Sequence, residues 1–115
     1  MKIEKRLFID ADGVIQRFRQ GLKAKRMDKK IEKIYLFGSR TKGTERPDSD
    51  YDVLIVAPSP NQEFRSNIYD IVVDILLTTG REVSLKIFKT EEFKRLKGMQ
   101  TPFMQNVLRE GIKIG

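Results

Sequence analysis

IYLFGSRTKGTERPDSDYDVLIVA, residues 34–57, is the stretch on which the fold turns. It reads as an apolar strand (34–37), a small-residue turn at Gly38 and Ser39, a basic loop from Arg40 to Asp48, and a second apolar strand led by Asp50 and Asp52. Residues two apart in a strand point the same way, with Cα atoms roughly 6.8 Å apart. Asp50 and Asp52 therefore share one face, and Tyr51 faces the other. Carboxylates at the head of an otherwise buried strand are costly unless they are used, which makes this the first place to look for chemistry.

Outward from this stretch the chain alternates helices and strands. Upstream, Asp10 or Asp12 can cap a helix running to about Met27, with Val14, Ile15, Phe18 and Leu22 at helical spacing and Arg17, Arg19, Lys23, Lys25 and Arg26 on the other face. The strand from Tyr51 to Ala57 is almost continuously apolar, the pattern of a central strand covered on both sides. Downstream, Asn61 caps a helix over 62–79. Its inward positions are Phe64, Ile68, Ile71, Val72, Ile75 and Leu76, Asp74 lies on its exposed side, and Gly80 is its stop.

Residues 83–89 alternate as a third strand, with Ser84, Lys86 and Phe88 on one face and Val83, Leu85 and Ile87 on the other. Thr90 is the expected N-cap of a short helix ended by Gly98. Thr101 followed by Pro102 opens another that stops at Gly111, and residues 112–114 are expected to dock as a strand on the sheet edge. This order predicts an α/β or α+β domain occupying all of residues 1–115.

Composition narrows the chemistry. The chain has no Cys and no His, so thiolate nucleophiles, His-based triads and His- or thiolate-ligated metals are excluded. Catalysis would have to run on carboxylates, hydroxyls, Lys and Arg, with an oxygen-liganded ion. The net charge of +7 is uneven: residues 1–46 carry 14 basic and 6 acidic side chains, residues 47–115 carry 9 and 10. A basic front half suits nucleotide phosphates, nucleic acid or an acidic partner, and equally a solvated Lys-rich face. No run is long and apolar enough to span a membrane and the N-terminus lacks a signal-peptide pattern, so a cytoplasmic location is expected.

Asp50 and Asp52 can converge on one hard cation, with water and phosphate oxygens filling the octahedral shell that Mg²⁺ prefers. Gly38 would let a phosphate approach the backbone, the Ser39 hydroxyl could donate to it, and Arg40 and Lys42 add positive charge beside the turn. A D-x-D or a Gly-Ser alone is generic. Together, on adjacent strand ends, they read either as the two halves of a nucleotide-transfer site or, just as simply, as a turn and a solvated, turn-capping acidic pair.

GSRTKGTERPDSDYDVLIV resembles the signature of the minimal nucleotidyltransferase domains of the DNA polymerase β-like superfamily: Gly-Ser, a basic loop with a further Gly, then Ser-Asp-x-Asp leading an apolar strand. The resemblance implies a small mixed β-sheet packed against helices. It also implies a phosphate-binding turn at Gly38 and Ser39, with Arg40, Lys42 and Ser49 nearby, and a metal pair at Asp50 and Asp52. Family members carry a third aspartate, which completes the metal site and often acts as base. Here its expected position holds Ser84, with Lys86 on the same face, and serine is no substitute for an anionic ligand or base.

The implied activity is transfer of a nucleoside monophosphate, AMP from ATP or another NTP, to a hydroxyl acceptor with Mg²⁺ or Mn²⁺. The preferred acceptor is a partner protein. The alternative is an antitoxin-like nucleotide-binding or partner-binding module, weak or inactive without the third carboxylate, in which Lys86 binds phosphate. Either reading implies a small helical partner encoded nearby, and a homo-oligomer is compatible with both. A nucleic-acid binder using the basic first helix ranks below them, since no aromatic platform for stacking bases is evident.

Overall fold

The computed structural model describes residues 12–37 and 51–114. Gly38, Ser39, Arg40, Lys42, Ser49 and Asp50, together with Asp10 and the apolar run at 3–9, lie outside the described residues. The described elements are α1 (Gly13–Ala24), a 3-10 turn (Asp28–Lys30), β1 (Lys33–Phe37), β2 (Tyr51–Ala57), α2 (Gln62–Thr79), β3 (Val83–Lys89), α3 (Thr90–Met99), α4 (Pro102–Glu110) and β4 (Ile112–Lys113).

The strands form one mixed sheet in the order β3-β2-β1-β4. β1 runs antiparallel to β2 and to β4, while β2 and β3 are parallel. A parallel pair needs a crossover, and α2 supplies it. The continuous apolar run of β2 is explained by its place between β1 and β3, with helices on both faces.

Strand alternation sorts side chains into two cores. Ile34, Leu36, Val53, Ile55 and Val83 meet Ile15, Phe18 and Leu22 of α1 and Phe64, Ile68, Ile71 and Ile75 of α2. On the other face Leu54 and Val56 meet Phe93 of α3 and Met104 and Val107 of α4. Each fully buried side chain of this size contributes roughly 1.5–3 kcal/mol of transfer free energy. α1 and α2, side by side on one face of the sheet, come close at Gly21: a Cβ there would stand 2.9 Å from Ile71 Cγ2, so glycine is what lets α1 approach α2.

Several element ends differ from expectation. α1 stops at Ala24, not near Met27, because Arg26 takes a left-handed conformation (φ 57°) that turns Met27 into the core. Thr90 is not an N-cap: the cap position is Lys89, whose N–H donates to Glu92 Oε1, and the Thr90 hydroxyl donates instead to Glu32 Oε2 at 2.9 Å. Gly98 lies within α3, which ends where Gln100 adopts φ 53°. Leu76 is 44% exposed rather than inward, because the sheet contact of α2 is the narrower 64, 68, 71, 75 stripe. Asn61, Gly80, Thr101 and Gly111 take their expected roles at helix ends.

Candidate active site

Asp52 is the second residue of β2, on the face that carries Leu54 and Val56, and is half-buried. Its Cα partners are Phe37 on β1 and Ser84 on β3. Lys86 follows two residues along β3, paired with Leu54, and both Ser84 and Lys86 are exposed. Strand geometry puts the Lys86 Cα roughly 8 Å from that of Asp52, within reach of a lysine stem. Asp52, Ser84 and Lys86, proposed from sequence as site residues, are thus gathered on one face at the end where β2 begins.

Phe103 closes this corner. It stands in the first turn of α4, which Thr101 caps by accepting from Met104 N–H. Its ring packs edge-on to Phe37, with centroids 5.7 Å apart and planes at 88°, and the Lys86 ammonium lies 5.7 Å from the Phe103 centroid. One ring therefore links the β1 neighbour of Asp52 to the β3 lysine. A cation over an aromatic face at an exposed site is worth about 0.5–1 kcal/mol, enough to bias where the ammonium sits. Sequence reasoning missed Phe37 and Phe103 as site residues. Their apolar patterns account for them as core, and nothing local tells Phe103 which strand it meets.

The opposite face of β2 is anchored by Tyr51. It is buried, as its parity requires, and its hydroxyl donates to Asp12 Oδ2 at 2.7 Å, while Asp12 Oδ1 accepts from Val14 and Ile15 N–H at the start of α1. A buried phenol needs such a partner, which is the signal that could have linked Tyr51 to Asp12. The head of β2 is in this way tied to α1 on one side while it presents Asp52 on the other.

Three of the five basic side chains named on α1 and its end are engaged within the chain. Arg17 Nε donates to Asp74 Oδ2 at 3.0 Å, Lys25 lies 3.7 Å from Asp70, and Arg19 Nε donates to the Ile114 carbonyl. Asp74 sits on the exposed side of α2, as the helical reading predicted, and works as an ion-pair partner for α1.

Among the described residues no three Asp, Glu, His or Cys side chains converge as a metal-binding group. The Asp52 carboxylate and the Ser84 hydroxyl are oxygen donors, a set that suits a hard cation and fits Mg²⁺, which typically takes one or two protein carboxylates and leaves the rest of its shell to water and phosphate.

Residues 15–113 match the family model described as nucleotidyltransferase domain. The chain belongs to this family. Over 103 residues the nucleotidyltransferase domain is 32% identical to a Methanocaldococcus jannaschii protein named as a "putative protein adenylyltransferase", covering 90% of this chain and 96% of that relative. Its fold is similar to a solved MntA–HpeT toxin–antitoxin structure, with a TM-score of 0.56, 21% identity, and 87% of this chain and 70% of that chain covered. A toxin–antitoxin structure with AMP-PNP is also similar, with a TM-score of 0.54, 20% identity, and 86% and 70% covered. At those identities the likeness is one of fold. The mixed α/β nucleotidyltransferase fold implied by the sequence is the fold observed. No helix among the described residues is long and apolar enough to cross a membrane.

Proposed function

We propose that this chain, acting as one nucleotidyltransferase domain, transfers AMP from ATP to a hydroxyl group on a partner protein. The observation that carries the reading is the placement of Asp52 near the start of β2, opposite Ser84 on β3 and on the same sheet face as Lys86, in a chain of this family. The 32% identity to a relative named for protein adenylylation supports the choice of donor and acceptor.

Asp50 and Asp52 would hold Mg²⁺, which when bound neutralises triphosphate charge and polarises the α-phosphoryl group. Gly38 and Ser39 would cradle the phosphates, and Arg40, Lys42, Ser49 and Lys86 would offset their charge. The acceptor oxygen attacks the α-phosphorus in line and gives up its proton to solvent water. The bond from that phosphorus to the bridging oxygen breaks, and pyrophosphate leaves with the electron pair. The partner we infer is a small helical protein, the kind the family resemblance implies; that similar folds were solved as toxin–antitoxin complexes supports a protein partner.

A second reading, a nucleotide- and partner-binding module without transfer, draws on one observation: the residue opposite Asp52 is Ser84, which is no anionic base. Incubation with ATP labelled at the α-phosphate, Mg²⁺ or Mn²⁺ and the helical protein encoded nearest the gene separates the two. Label on the protein, lost in an Asp50→Ala, Asp52→Ala variant, is the expected result. Metal-dependent ATP binding with no labelled acceptor would favour the second reading, and absence of ATP binding would refute both.

A further inference from the structure

We propose that the outer face of α2 pairs antiparallel with the same face of a second copy of this chain, giving a two-fold dimer seamed by Tyr69, Val73, Leu76 and Leu77. The inference does not depend on the transfer reaction above.

The buried stripe of α2 is Phe64, Ile68, Ile71 and Ile75. At 3.6 residues per turn, Tyr69, Val73, Leu76 and Leu77 come out roughly opposite it, spaced as the seam of a helix pair. They are open to solvent: Leu77 is 81% exposed, Tyr69 50% and Val73 49%. With Leu76 they leave roughly 400–450 Å² of side chain uncovered, a size at which an apolar patch marks an interaction surface. Two such patches in contact, with their rims, bury about 1,000 Å² in all, the lower bound for a specific interface. The neighbouring carboxylates do not oppose the contact, because Asp70 and Asp74 are engaged by Lys25 and Arg17 of α1.

Charge selects the occupant and its direction. Arg65 stands on the rim of the patch near the start of α2, and the last turn of the helix has no basic residue of its own. Arg81, just beyond that end, lines a cleft with Asp12, Arg17 and Tyr51 instead. The Arg65 Nε donates to the Pro60 carbonyl, so its Nη groups are what reaches outward. In an antiparallel pair centred near Val73, they meet the C-terminal carbonyls of the other copy's α2, where a cation is favoured. The rise of 1.5 Å per residue then keeps the two Arg65 side chains roughly 22 Å apart, whereas a parallel pair would bring them together. The self-complementarity that a two-fold interface requires is thus present on one helix. Strand pairing is the poorer route, since β3, an edge of the sheet, carries exposed Lys86 and Lys89.

Sedimentation equilibrium of the full chain between about 5 and 200 µM tests this, a range set by the small contact area. The expected result is a concentration-dependent shift to twice the chain mass of 13.4 kDa. Leu77→Glu should stay monomeric, whereas Met99→Glu, at a 63% exposed apolar position on α3, should dimerise as the native chain does. Arg65→Ala should raise the dimer dissociation constant roughly 3- to 30-fold, for two lost helix-end contacts; an unchanged constant would overturn the antiparallel alignment. Melting curves check that the variants fold, and the native mass stands independently of them. A native chain that is monomeric throughout, or a dimer that survives Leu77→Glu, overturns the inference. So does binding of a monomeric native chain to the helical protein encoded nearest the gene, or to lipid vesicles, when that binding is lost in Leu77→Glu, because the face then belongs to that occupant.

Discussion

The Tyr51 hydroxyl donates a 2.7 Å hydrogen bond to Asp12 Oδ2, joining the head of β2 to the N-cap of α1. The same carboxylate caps the helix through its other oxygen. Tyr51→Phe is expected to cost about 1–2 kcal/mol, the range for a bond to a charged group discounted for the partial exposure of Asp12. Asp12→Ala removes the cap as well and should cost about 2–3 kcal/mol. Urea denaturation of both variants and their double mutant should give a coupling energy of about 1 kcal/mol. Strict additivity would show that the bond contributes nothing.

Asp52→Asn keeps the size of the side chain and removes its charge. Loss of one preorganised electrostatic partner at a transfer site typically lowers the rate on the order of 100- to 1,000-fold. Transfer of α-phosphate label should fall by that much. A variant that retains most of the native rate would remove Asp52 from the site.

Gly21 offers a test of the helix contact. Alanine gains roughly 1 kcal/mol of helix propensity over glycine. Against that, its Cβ would meet Ile71 at 2.9 Å, and overpacking a β-branched neighbour typically costs about 1–3 kcal/mol. Gly21→Ala is expected to be net destabilising by about 1 kcal/mol. Ile71→Ala, which removes Cγ1, Cγ2 and Cδ1, should cost less in the Gly21→Ala background than in the native chain, as read from denaturant midpoints.

Phe103→Leu keeps an apolar side chain at the corner and takes away the ring beneath Lys86. Nucleotide affinity is expected to weaken about two- to fivefold, the equivalent of the lost cation–π contact. Phe103→Tyr retains the ring and should retain the affinity. Calorimetric titration with α,β-methylene ATP distinguishes this from a packing effect: a purely structural role would weaken binding only in step with a drop in melting temperature.

Much of the fold was legible because its signals are local. The alternation in VSLKIFK, the Asn61 and Thr101 caps and the Gly80 stop each act within a few residues, and each element they define has its expected bounds. The ends that were misread, at Ala24, Thr90 and Gly98, are those where a distant contact or a left-handed residue overrides propensity: Met27 turning into the core, Thr90 bonding Glu32, and Gln100 closing α3.

The same division runs through the candidate site. The sequence by itself determined that Asp52 and Tyr51 leave β2 on opposite faces, that Ser84 and Lys86 share a face of β3, and that the chain must work without His or Cys. Those properties follow from the two-residue repeat of a strand and from the residue inventory. Only the tertiary structure decided that Ser84 lies opposite Asp52, that Phe103 bridges Phe37 to Lys86, and that Tyr51 finds its acceptor in Asp12. Register between strands and the seating of a helix are set by how apolar faces pack over long sequence separations, and no local pattern contains that information.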